Sequence, residues 1–210
     1  MACLHLMRDE LDCAIYVDTG FSYPETLALI DYAETILPVH RVFSGRNAQN
    51  AVMGIPADVV PINWTVLGQQ LTGQKAVTVQ SYLGCCFENV TQPLIQKAKE
   101  IGVTQLVSGQ RSDESHKSTF RNGMVIDGIE RLNPIESWST GEVIEYLKTK
   151  MTVPNHFAIK HSSLDCYDCT AYAGDSNDRV EWTKQQHPAF HAKYMIRRNG
   201  LDNALMTAQG

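Results

Sequence analysis

The first part of the chain alternates short apolar runs with amphipathic segments. Residues 13–17 form an apolar run that ends in a polar turn at residues 18–20, and residues 39–43 form a second run. Between them, Pro24 opens a segment through about Leu37 in which apolar residues recur at helical spacing. The pattern therefore predicts a strand, a helix and a second strand.

The same order returns in the middle of the chain. We expect a helix from Thr91 or Pro93 to Ile101, ended by Gly102, and then a third strand at residues 103–107. Strands that alternate with helices and end in polar turns are typical of a parallel sheet flanked by helices. The sequence therefore predicts an α/β fold.

Capping signals predict two later helices. Ser139-Thr140-Gly141-Glu142 is a capping box for a helix over residues 143–150. A last helix is expected over residues 188–198, with two arginines in its final turn and Gly200 as its C-terminal cap. Residues 48–84 show no sustained period and predict no particular element.

Composition narrows the class of protein. The 210 residues are 43% hydrophobic and 20% charged, with a formal net charge of −5, so a packed core is expected and a broad basic surface is not. No apolar run approaches the ~18–20 residues of a membrane helix, and the first residues lack a signal-peptide pattern. We expect a cytoplasmic protein without a membrane partner, folded as one domain over residues 1–210 with a C-terminal helical extension from about residue 175.

The six cysteines are the strongest chemical signal. Two of them, Cys3 and Cys13, fall in apolar segments and are interpreted as core residues. The other four form an adjacent pair and, after a long gap, a C-x-x-C pair: Cys85, Cys86, Cys166 and Cys169. In a reducing compartment such a set favours metal binding or redox chemistry over a disulfide framework. Four thiolates suit a tetrahedral zinc or an iron–sulfur cluster, although adjacent cysteines strain a single zinc.

Polar residues follow two of the predicted strands, where a parallel sheet binds its ligands. Around these strand ends the candidate binding residues are Asp18, Thr19, Gly20, Gly109, Arg111, Glu114, Ser115, Lys117 and Arg121. Guanidinium groups suit phosphate or sulfate oxygens, and Glu114 and Ser115 would orient the loop or contact a ribose. A simple turn at residues 18–20 and a solvated charged loop after Gly109 remain the alternatives.

Four segments together resemble one known family. Residues 18–26 match D-T-G-x-x-x-P-E-T, residues 109–115 match G-x-R-x-x-x-S, and residues 133–139 match N-P-x-x-x-W-[ST]. With the cysteine pattern, they resemble the phosphoadenosine-phosphosulfate reductase family of the adenine-nucleotide alpha-hydrolase-like superfamily, over about residues 1–170. The resemblance implies a Rossmann-like parallel sheet and a sulfonucleotide or other adenine nucleotide as ligand.

The resemblance also implies a cofactor and partners. The cysteine pattern is similar to the iron–sulfur branch of the family, in which all four thiolates hold one 4Fe–4S cluster, with zinc as the alternative. The implied substrate is adenylyl sulfate or its 3′-phosphate, the implied partner is an external reductant such as a thioredoxin-like protein, and ATP is an alternative ligand.

The sequence departs from the family at both ends. It contains no S-G-G-x-D-S phosphate loop, and residues 1–7 look like the helix that would follow that loop, so the first strand of the sheet is expected to be missing. We therefore expect either a shortened chain or a loss of nucleotide binding. No cysteine follows Cys169, whereas the reductases carry a nucleophilic cysteine in a C-terminal E-C-G-L-H motif.

These departures leave two alternatives to a sulfonucleotide reductase. One is an ATP-dependent sulfurtransferase or nucleic-acid-modifying enzyme of the same superfamily, and the other is a non-catalytic module with a structural metal. A nucleic-acid contact would use the basic residues near the C-terminus, for which a solvated helical face is the alternative: Arg179, Lys184, Lys193, Arg197 and Arg198.

Overall fold

A computed structural model of the protein describes residues 1–112, 114, 121–158, 164, 166–171 and 177–208. Its helices are α1 (Ala2–Leu6), α2 (Pro24–Glu34), α3 (Arg46–Met53), α4 (Val66–Thr72), α5 (Tyr82–Cys86), α6 (Gln92–Glu100), α7 (Thr140–Lys148), α8 (Asn177–Gln186) and α9 (Pro188–Ala208). Its strands are β1 (Ala14–Asp18), β2 (Val39–Phe43), β3 (Ile55–Ala57), β4 (Val79–Ser81), β5 (Gln105–Val107), β6 (Val125–Ile126) and β7 (Ile129–Leu132). No helix among these residues is long and apolar enough to cross a membrane.

The strands form small, mainly parallel sheets. β1 pairs with β2, β3 pairs with β4 in parallel, and β5 pairs with β7 in parallel. β6 adds to β7 as an antiparallel arm. Helices alternate with these strands along the chain, so the predicted α/β class is confirmed.

The chain divides into two compact units. The first comprises Met1–Tyr16, Pro24–Val42 and Leu94–His161, and the second comprises Val17–Tyr23, Phe43–Pro93 and Ser162–Gly210. In the first unit, one core cluster packs α1 against α7 and another packs α1 against α2. In the second unit, the core joins β3 and β4 to α9.

Several local predictions are confirmed. β2 has the predicted bounds, and Gly102 lies after α6 with a φ of +73°. At the start of α7, the Glu142 amide donates to the Ser139 hydroxyl at 3.3 Å while the Ser139 amide donates to the Glu142 carboxylate at 2.7 Å. These features depend on neighbours in sequence, which is why the pattern alone predicts them.

The predicted end of the last helix is wrong. Gly200 lies inside α9, which continues to Ala208. Leu201 and Ala204 follow it on the buried side and pack in the core of the second unit. A Cβ on Gly200 would lie 3.3 Å from Ile55 Cδ1, so glycine allows close contact between α9 and β3. Burial of this apolar face outweighs the poor helix propensity of glycine, which costs only about 1 kcal/mol.

Residues 48–84, for which the sequence predicts no particular element, fold into short elements. They contain most of α3, then β3, a 3₁₀ turn at Ile62–Trp64, α4, β4 and the start of α5. Gly54 makes the turn between α3 and β3 with a φ of +91°, and a Cβ there would lie 2.0 Å from the Thr78 carbonyl oxygen. Each element is too short to be stable alone, so packing in the second unit determines it.

Candidate functional site

The adjacent cysteines end a short helix in the second unit. Ser81 caps the start of α5, since its hydroxyl accepts a hydrogen bond from the Leu83 amide, and a π-helical turn at Phe87–Thr91 follows the helix. Neighbouring residues on a helix point about 100° apart, and accordingly Cys85 is buried while Cys86 is exposed. The pair therefore places a buried and an exposed cysteine next to each other on one backbone segment.

The C-x-x-C pair lies on a turn held by an arginine. The Cys169 amide donates to the Cys166 carbonyl at 3.0 Å, which closes the turn. Arg179 of α8, only 4% exposed, donates to the carbonyl oxygens of both Cys166 and Cys169, at 3.3 and 3.1 Å. One guanidinium thereby fixes the backbone that carries both thiols.

The two cysteine pairs line one cavity, of about 290 Å³ including the solvent at its mouth. Its walls include Cys85, Cys86, Cys166 and Cys169, together with Thr19 and Arg46. None of the four cysteines forms a disulfide. Among the described residues, no three His, Cys, Asp or Glu side chains are already grouped as a metal site. The structure therefore brings the predicted ligands to one cavity without an arranged ligand cage.

The D-T-G turn contacts this cavity. The Asp18 carboxylate accepts a hydrogen bond from the Gly20 amide at 2.8 Å, and Gly20 has a φ of +77°. The turn presents the buried Thr19 hydroxyl to the Cys166 sulfur at a distance of 3.2 Å. Asp18 and Gly20 thus act as turn residues here, and Thr19 is the member of the motif that contacts a candidate ligand.

Amide side chains surround the sulfur of Cys85. The Cys85 thiol donates to Asn50 Oδ1 at 3.5 Å, and Asn89 Nδ2 donates to the Cys85 carbonyl at 2.9 Å and reaches its sulfur at 3.8 Å. Gln80 Nε2 donates to the same Asn50 oxygen at 2.8 Å. This polar network orients Cys85, which is buried although Leu83 and Phe87 on either side of it are exposed.

Sequence reasoning missed Arg46. It begins α3, is 2% exposed, and its guanidinium lies 4.2 Å above the Phe21 ring. Its Nη2 forms an ion pair with Asp168 Oδ1 at 2.8 Å, and Arg197 of α9 donates to the other oxygen of Asp168. Asp168 lies between the two cysteines of the C-x-x-C pair, but nothing in the sequence pattern connects that position with residues 46 and 197.

In this cavity, burial and neighbouring charges shift the pKa values of Cys166 and Arg46 in opposite directions. Burial raises the pKa of Cys166 to about 11, although Arg46 and the Thr19 hydroxyl act to lower it. For Arg46, burial by itself disfavours the charged form, but the interactions with Cys166, Asp168 and Cys85 more than compensate and raise its pKa. The cavity thus combines a buried positive charge with one thiol, that of Cys166, whose pKa burial raises.

The second set of predicted residues lies in the first unit. Arg111 Nη2 donates to the Thr140 hydroxyl at 3.1 Å and lies 3.8 Å from the Glu114 carboxylate. The Arg121 amide lies 3.1 Å from the Met124 sulfur, and a Cβ on Gly109 would have ordinary contacts only. Ser115 and Lys117 lie outside the described residues. The role of this set in nucleotide binding stays a prediction.

The basic residues near the C-terminus are engaged inside the second unit. Arg179 and Arg197 hold the C-x-x-C segment, and Lys193 lies 5.4 Å from the centre of the Tyr167 ring. Arg198 pairs with Asp202. Lys184 is 60% exposed and lies 3.8 Å from Glu181, so it fits the solvated helical face, whereas the three arginines have partners within the unit.

Comparison with known proteins agrees with the motifs. The model of the phosphoadenosine phosphosulfate reductase domain matches residues 1–172. The adenosine 5′-phosphosulfate reductase of Rhodococcus erythropolis (strain PR4 / NBRC 100887) is 25% identical over 170 residues. That match covers 78% of this chain and 61% of the relative, so the chain spans less than two thirds of the relative's length. On this evidence of sequence, the chain belongs to the phosphoadenosine phosphosulfate reductase domain family.

Proposed function

We propose that this protein binds an adenylated sulfate and holds a 4Fe–4S cluster with Cys85, Cys86, Cys166 and Cys169. The contact between Thr19 and Cys166 supports the proposal most directly, because it joins the D-T-G motif of the family to the cysteine pattern. Two motifs that are far apart in sequence thus contribute to one cavity.

The residues around the cavity fit a metal–thiolate group by their chemistry. Four thiols are the donor set of an iron–sulfur cluster, and the cavity carries a buried guanidinium in addition. Nη1 of Arg46 has no hydrogen-bond partner within the described part of the chain. A bound cluster would supply thiolate-held iron, with a charge and reduction potential set by the surrounding protein.

Zinc is the alternative occupant, and the adjacent cysteines argue against it. One mononuclear ion must accept the sulfurs of Cys85 and Cys86, which are adjacent along α5, and this strains the chelate. A cluster presents separate iron atoms to such a pair. The cysteine geometry therefore favours the cluster.

For the substrate, we propose adenylyl sulfate or its 3′-phosphate. The name of the Rhodococcus relative supports adenylyl sulfate, and the family supports a sulfonucleotide in general. Arg111 and Arg121 are the guanidinium groups proposed to contact phosphate or sulfate oxygens. A thioredoxin-like protein is the proposed external reductant. The internal contacts of Arg179 and Arg197 give no support to a nucleic-acid substrate.

Metal content tests the cluster. Protein purified without oxygen is expected to be brown and to contain about four iron and four sulfide ions per chain. Cys86→Ser and Cys166→Ser should each lose most of the iron, whereas Cys13→Ser, a half-buried cysteine of the first unit, should retain it. Zinc in place of iron, or equal iron in all three variants, would contradict the proposal.

Calorimetry tests the substrate. Adenylyl sulfate and ATP are titrated separately into the parent protein and into Arg111→Ala. We expect adenylyl sulfate to bind more tightly than ATP and the variant to bind both at least tenfold more weakly. Arg41→Ala is the control, since Arg41 pairs with Asp31 and Glu34 at the surface. Equal binding by the parent and Arg111→Ala removes Arg111 from the site.

A further inference from the structure

Three arginine side chains lie around the C-x-x-C segment. Arg46 and Arg197 both contact Asp168, and Arg179 binds the carbonyls of the two flanking cysteines. Three guanidinium groups therefore surround this segment, and two of them share one carboxylate. Buried charges are unfavourable unless they are compensated, so this arrangement favours additional negative charge nearby.

Arg46 is the member of this group that lines the cavity. Its side chain is 98% buried, since 2% of it is exposed, and its Nη2 lies 2.8 Å from Asp168 Oδ1. Nη1 has no hydrogen-bond partner among the described atoms. A buried donor of this kind is rare without a ligand, because leaving it unpaired sacrifices its hydration.

We infer that Arg46 is the electrostatic partner of the metal–thiolate group, a positioning residue that stabilises the group's negative charge through its unpaired Nη1. The inference rests on the proposed cluster, and it concerns a residue that lies outside the motifs of the family resemblance. Four thiolates make the bound cluster negative, and reduction adds one further negative charge. A fixed cation beside the cluster therefore stabilises the reduced form more than the oxidised form.

Two other roles for Arg46 lead to different results. If Arg46 only stabilises the fold through Asp168, its removal lowers stability and leaves the cluster's properties unchanged. If Arg46 instead binds the substrate's sulfate, its removal weakens adenylyl sulfate binding and again leaves the cluster's reduction potential unchanged. The reduction potential and the rate of iron release therefore distinguish the three roles.

The experiment compares Arg46→Met and Arg46→Lys with the parent protein, all purified without oxygen. Each is reduced stepwise while its visible absorption is followed, and iron release to a chelator is timed in parallel. For Arg46→Met we expect a reduction equilibrium constant at least tenfold lower, which is about 59 mV for one electron, and at least threefold faster iron release. Arg46→Lys keeps the charge and should remain nearer the parent.

Control variants make the result specific. Arg41→Met removes a surface arginine and should change neither measurement. If Arg46→Met does not fold, Arg197→Gln replaces it. Arg197 is more exposed than Arg46 and contacts Asp168 without lining the cavity, so a smaller shift of the reduction potential in the same direction is expected. An unchanged reduction potential and an unchanged rate of iron release in the folded variant would overturn this inference but not the proposed cluster. A parent protein without iron would overturn both the inference and the proposed cluster.

Discussion

The Thr19 hydroxyl and the Cys166 sulfur lie 3.2 Å apart, although 147 positions separate them in the sequence. Thr19 is placed by the turn after β1, and Cys166 by a turn that Arg179 holds. Both turns belong to the second unit. The contact therefore shows how one compact unit gathers a strand-end motif and a late cysteine pair into the same cavity.

Two replacements of Thr19 should distinguish the contribution of its hydrogen bond to stability from that of its side-chain volume. Thr19→Val keeps the shape but removes the hydroxyl, so the free energy of unfolding should fall by about 1 kcal/mol. Thr19→Ser keeps the hydroxyl and is the matched control. Urea unfolding of the metal-free protein measures both, and a loss in Thr19→Ser with none in Thr19→Val would show that volume rather than the hydrogen bond matters.

Asp168 should contribute strongly to stability, because it contacts two arginines in a buried setting. Asp168→Asn leaves Arg46 and Arg197 without their carboxylate and should lower the free energy of unfolding by about 3–5 kcal/mol. Asp31→Asn breaks a surface ion pair with Arg41 and should have little effect. Denaturant unfolding compares them, and similar midpoints for the two variants would contradict the prediction.

Gly54 should tolerate no side chain. Its φ of +91° is unfavourable for other residues, and a Cβ would lie 2.0 Å from the Thr78 carbonyl oxygen, so Gly54→Ala should destabilise the fold by at least ~2 kcal/mol. Gly84→Ala is the comparison, because no described atom lies within 4 Å of that Cβ position. Thermal unfolding should show a clear decrease for the first variant and none for the second. A Gly54→Ala protein as stable as the parent would refute this account of the turn.

The capping box of α7 should have a modest, local effect. Ser139→Ala removes the acceptor for the Glu142 amide and should lower stability by about 1 kcal/mol. Ser139→Thr supplies the same acceptor and should remain close to the parent. The two thermal midpoints are compared under identical conditions, and a loss in Ser139→Thr as large as in Ser139→Ala would exclude capping as the cause.

The sequence alone predicted the features that depend on near neighbours. β2, the capping box of α7 and the glycine after α6 follow from hydrophobic period and terminal chemistry within a few residues. The family motifs were likewise recognisable because each is a short segment of fixed spacing. For the same reason, the four cysteines were identified as one candidate ligand set before their positions in space were known.

Only the tertiary structure decided the features that depend on distant contacts. The elements of residues 46–81 are short and aperiodic, and α9 continues through Gly200 because its next turn is buried against β3 and β4. Arg46 illustrates the same limit in the site. An arginine in a polar segment is expected to be exposed, yet Asp168 and the Phe21 ring, both distant in sequence, hold it in the cysteine cavity. Burial and ion pairing depend on which residues come together in the folded protein. A local sequence pattern does not show which distant residues these will be.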